Sequence, residues 1–128
     1  MSKIAEAHIK GISGFLAPSV RRRFLALYEK SLPRAFESVW KSHAFPIDKS
    51  VVKVLRPEVD TFGQLRRLGA SDMCWFARDG QPFKTGFERL ETVLHETWMQ
   101  HAVLSCIPGK LIYFEGERSD VSVILMAN

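Results

Sequence analysis

The sequence predicts an α+β fold: an N-terminal helical group, one long buried helix packed on a small antiparallel sheet, and a C-terminal hairpin closing that sheet. Three observations carry the expectation. Apolar residues recur at helical spacing through the first 43 residues, with prolines at the joints. A longer stripe at the same spacing covers 85–106. Beyond a Pro-Gly stop, two nearly unbroken apolar runs, 110–115 and 120–127, flank a short polar loop.

Taken in order, Ser2 is a capping residue for a first helix with Ile4, Ala7, Ile12 and Phe15 on its inner face. Gly11 and Gly14 weaken that helix, and Pro18 ends or kinks it. A second helix runs from 17–19 to about Lys30, with Val20, Phe24, Leu27 and Tyr28 inward. Arg21, Arg22 and Arg23 fill one of its turns; at about 100° per residue they fan across the outer surface. Ser31 followed by Pro33 restarts the chain, and Phe36, Val39, Trp40 and His43 form an i, i+3, i+4, i+7 stripe.

The β-branched residues of 48–56 favour a strand, with a short helix capped by Asp48 as the alternative. Asp60 and Thr61 cap a short helix over 62–68, closed by Gly69. The apolar run 73–77 reads as a strand entering the Asp79-Gly80 turn. Thr85 and Glu88 then have the spacing of a capping box. Phe87, Leu90, Leu94, Trp98, His101 and Ser105 follow at intervals of three and four, broadened by Val93, Ala102 and Leu104. In the final hairpin, apolar residues on both faces mean a strand buried on both sides, or one covered by a partner chain. A bare apolar edge is a liability, so the last strand is expected to be central or to form a homodimer interface.

The 128 residues are expected to form a single domain (1–128), with a helical part over 1–43 and a mixed part over 48–128. No apolar run approaches the roughly 20 residues that cross a bilayer, and the N-terminus has no signal-like apolar segment. Cys74 and Cys106 make neither a disulfide framework nor a metal-ligand spacing, which makes a cytoplasmic setting the expectation. Charge is unevenly divided: +7 over residues 1–57 and −3 over 58–128. Such asymmetry suits a basic surface that meets nucleic acid or an acidic partner.

Catalytic motifs find little support. His95 and His101 are six apart, about 600° of helix, so a shared helix would place them about 120° from each other. The zinc-protease arrangement needs two histidines four apart with a glutamate beside them. His95 with Glu91 is the remaining i, i+4 pair, most simply a surface contact. Cys106 would lie at a helix C-terminus, the wrong end for stabilising a thiolate. No nucleophile elbow, phosphate loop or paired-cysteine metal site is present.

The expectation is therefore a small non-enzymatic binding or regulatory module. Its partner, protein or nucleic acid, would meet a basic helical surface of Arg21, Arg22, Arg23, Lys30, Arg34 and Lys41. The alternative is a small-ligand sensor with a pocket between helix 85–106 and the sheet, lined by Trp98, His95 and His101. A small enzyme using His95 or Cys106 stands third. No metal or cofactor is implied.

Overall fold

A computed structural model describes residues 1–41, 45–50, 52–118 and 121–128. Helix α1 (Lys3–Ser13) begins where the Ser2 hydroxyl accepts the Ala5 N–H at 3.1 Å. Helix α2 (Pro18–Leu27) starts on the proline, and α3 (Leu32–Trp40) starts under the Ser31 hydroxyl with Pro33 in its first turn. Proline is harmless there because first-turn N–H groups have no helical acceptor. Strand β1 (Val52–Leu55) leads to helix α4 (Thr61–Arg67), whose Asp60 side chain accepts the Gly63 N–H at 2.9 Å. Gly69, at φ 110°, closes that helix as its position predicts.

Strands β2 (Met73–Arg78) and β3 (Lys84–Arg89) form a hairpin, followed by the short helix α5 (Leu90–Glu96). Strands β4 (Ala102–Ile107), β5 (Leu111–Glu115) and β6 (Val123–Ala127) complete a six-stranded antiparallel sheet in the order β1-β6-β5-β4-β2-β3. The fold is α+β. Among the described residues no helix is long and apolar enough to cross a membrane.

The sheet is covered on both faces. Trp75, Ala77, Val103, Ile112, Phe114 and Leu125 point towards α1–α3, where they meet Ile12, Phe24, Phe36 and Val39. On the other face Cys74, Phe76, Leu104, Tyr113 and Ile124 meet Leu65, Leu90 and Val93 from α4 and α5. Each fully buried large side chain contributes about 1.5–3 kcal/mol. Helices of seven to eleven residues are marginal alone, so this burial holds them.

Three expectations are corrected. The segment 85–106 is not one helix. Thr85 and Glu88, spaced like a capping box, instead pair with Ala77 and Cys74 across the β2–β3 hairpin. Only Leu90, Val93 and Leu94 realise the helical stripe. The helix ends where the Thr97 hydroxyl donates to the Val93 carbonyl and Met99 takes a left-handed φ of 64°. Segment 102–107 then runs as a strand buried on both faces, and a nearly all-apolar strand satisfies a helical stripe by accident. Second, α1 buries His8, Ile9 and Ile12, while Ile4 is 66% exposed and Ala7 is also on the surface. Third, the first-helix glycine is a packing device: a Cβ on Gly11 would overlap the backbone nitrogen of Gly109 in the β4–β5 turn. The terminal strand β6 is paired with β5 on one side and β1 on the other, so it is central, the first of its two expected placements. The third helix stops at Trp40, and His43 lies outside the described residues.

The Gly11 contact is testable against its neighbour. Gly11→Ala forces backbone apart and should cost about 1–3 kcal/mol in urea denaturation. Gly14→Ala, at φ −64° with its nearest neighbour 3.4 Å from the new Cβ, should be neutral or stabilising by up to about 1 kcal/mol. Equal effects at both positions would refute the close approach.

Candidate functional site

A cavity of about 540 Å³ opens on the α4–α5 side of the sheet. Three pieces of chain enclose it: the loop 57–60 running into α4, the C-terminal end of α5, and the end of β5 with Ser122 before β6. The loop is held by Gln64, which accepts the Glu58 N–H at 2.7 Å and donates to the Arg56 carbonyl at 3.0 Å. Leu94, His95 and Trp98 come from α5 and the turn after it. Trp98 is 70% exposed and Val59 fully so, which leaves an apolar rim open to solvent.

The floor is polar. Tyr113 and Glu115 lie two residues apart on β5 and so share a face. The Tyr113 hydroxyl donates to Glu115 Oε1 at 3.1 Å, and the Ser122 hydroxyl donates to Oε2 at 2.7 Å. Ser122 in turn accepts the Gly116 N–H at 3.2 Å, which fixes its hydroxyl as the donor towards Glu115. Glu115 is only 4% exposed, and among the described residues no lysine or arginine lines the cavity. Burial raises the Glu115 carboxyl above its ordinary value of 4.5, opposed by its two hydroxyl donors. Burial, with Glu115 beside it, likewise raises the Tyr113 phenol.

Of the residues proposed from sequence for a pocket, Trp98 and His95 meet here and His101 does not. His101 lies under a second, open cavity of about 650 Å³ with Asp79, Gly80, Met99 and Glu117. Its ring stacks on Trp40 at 5.7 Å and 1°, rather than near Trp98. Asp79 and Glu117 carboxylates stand 3.9 and 3.8 Å from its Nδ1, beyond hydrogen-bond range. Glu91 and His95 are both exposed on α5, and among the described residues no group of side chains forms a metal site.

Cys106 is placed in the interior strand β4 rather than at a helix end, and desolvation raises its thiol well above the ordinary range. Cys74 is pushed up to about 12 by the same burial. Both thiols are inert packing groups. The basic residues also separate. Arg21 turns inward: its guanidinium donates to the Ser13 and Leu16 carbonyls at 3.0 and 2.8 Å and to Asp48 Oδ2 at 2.9 Å. Arg22, Arg23, Lys30, Arg34 and Lys41 are exposed.

Sequence reasoning passed over Glu115, Tyr113 and Ser122. The available signal was a carboxylate at an inward-facing position of an apolar strand. A second such pair lies on the other face: His8 Nδ1 is 2.7 Å from Ser105 Oγ, both buried, with the imidazole's pKa lowered by desolvation. Comparisons with protein-family models, curated proteins and solved structures find no match for this chain.

The Glu115 environment has a signed consequence. The folded protein binds this proton more tightly than the unfolded chain, so the contribution of Glu115 to stability declines as pH rises from about 4.5 through the folded value. Glu115→Gln removes that decline. Stability of variant minus wild type, from urea curves between pH 4 and 8, should therefore increase with pH; a flat difference would show that the carboxyl is not perturbed.

Proposed function

We propose that this protein is a non-enzymatic module that binds a small organic molecule in the cavity between α4, α5 and the end of β5. One observation supports the reading above others: a buried carboxylate, with no lysine or arginine among the described residues of the lining, forms the floor of a cavity rimmed by exposed Trp98 and Val59. Binding sites combine an apolar wall with a few convergent polar groups, and perturbed carboxyls concentrate at such places. The volume suits a small ligand. Among the described residues the cavity lining carries no cysteine, and Cys106 is buried in the sheet.

A metabolite-sized library screened by thermal shift tests the reading. A ligand at about ten times its Kd stabilises by about 1.4 kcal/mol, which corresponds to a Tm rise of roughly 4–6 °C for a domain of this size. Trp98→Ala, at an exposed position, should leave the ligand-free Tm within about 2 °C and abolish most of the rise. A featureless screen, or hits indifferent to Trp98, would end the proposal.

A second reading, a protein or nucleic-acid partner on the α2–α3 surface, rests on the exposed Arg22, Arg23, Lys30, Arg34 and Lys41. Arg21 is better read as a structural tie. On this reading, binding to random duplex or single-stranded DNA weakens steeply with salt, and Arg22→Ala with Arg23→Ala reduces it severalfold while Arg21→Ala acts mainly on stability. Undetectable binding at low salt would remove the nucleic-acid version.

A further inference from the structure

The chemistry of the cavity floor narrows the ligand, on the condition that the pocket reading holds. Both hydroxyl donors described at the floor are already committed. Tyr113 O–H and Ser122 O–H both go to Glu115, and Gly116 N–H goes to Ser122. What remains for a ligand at the floor are lone pairs on the two Glu115 oxygens and on the Tyr113 oxygen, with the His95 ring and the Trp98 indole in the wall.

Charge points the same way. The other two acids of the lining have partners: Glu58 pairs with Arg67 at 2.7 Å, and Asp60 accepts the Gly63 N–H at 2.9 Å. Among the described residues the partners of Glu115 are the two hydroxyls, and none of the salt bridges includes it. An anionic ligand would place like charges together in a desolvated site. A neutral donor would satisfy lone pairs and leave the charge unbalanced. A cation does both. The walls add Phe62 and Trp98, whose ring faces attract cations, and Leu94 and Val59, which give an apolar body somewhere to lie.

We infer that the ligand is an organic cation, a protonated primary or secondary amine carried on an apolar or aromatic body. Its ammonium group donates to Glu115, and its body packs between Trp98, Phe62 and Leu94. Selectivity among amines comes from that apolar wall, and discrimination against neutral and acidic analogues comes from Glu115.

The test uses three matched probes on the full chain: 2-phenylethylamine, 2-phenylethanol and phenylacetate, titrated to millimolar concentration by calorimetry and by the Trp98 indole signal in NMR. The amine should bind at least tenfold more tightly than the alcohol, with the acid weakest. Glu115→Gln should bring the amine down to the alcohol while leaving the alcohol unchanged; Trp98→Ala should weaken both. Equal binding of amine and alcohol to wild type, both lost in Trp98→Ala, would overturn the cation and leave the pocket standing. An amine preference that survives Glu115→Gln would also overturn it. No binding of any probe counts against cation and pocket together. The wild-type comparison stands by itself if Glu115→Gln does not fold.

Discussion

The constraint on which the structure depends is that the inner strands of its sheet have no wet face. Strands β4 and β5 are buried on both sides, so every side chain they carry must be apolar or internally paired. That explains the unbroken apolar runs, and it explains why short helices suffice, since each is held by the sheet face beneath it. It also dictates the edges. The outermost strands, β1 and β3, carry Lys53, Lys84, Glu88 and Arg89, charges that oppose pairing with another chain. The most apolar strands are kept inside.

The same constraint determined what could be read from the sequence. Elements with their own punctuation were legible: Ser2, Ser31 and Asp60 cap helices, Pro18 and Pro33 begin them, and the final hairpin turns where expected. The segment 85–106 was not, because periodicity distinguishes helix from strand only when one face is polar. In Ala102–Ile107 both faces are buried, so any template fits. The Asp79-Gly80 turn was the better guide. A strand entering such a turn asks for a second strand, and Lys84–Arg89 supplies it.

The candidate site was legible in part. Trp98 and His95 share a wall because α5 really is helical up to Glu96, and Trp98 extends the same end of it. His101 departs from them because the left-handed turn at Met99 sends the chain back into the sheet. Glu115 could not be weighed without knowing which strand positions face inward and what lies above them. Arg21 shows the converse: three consecutive arginines look alike in sequence, yet the loop carrying Asp48 meets one of them.

Two buried polar groups interrupt the sheet, and their difference bears on function. His8 and Ser105 satisfy each other in a place that neither described cavity reaches, and desolvation favours the uncharged imidazole. That pair joins α1 to β4 and asks for nothing more. Glu115 is an acid whose charge burial opposes, held by two hydroxyls where the inner sheet meets an open cavity. If packing were its only purpose, an apolar side chain of the same size would serve at least as well, because unbalanced buried charge is costly. The hydroxyls of Tyr113 and Ser122 orient the carboxylate rather than neutralise it. An acid oriented by two hydroxyls and facing a cavity at a cost to stability is better explained by what it receives than by what it holds together.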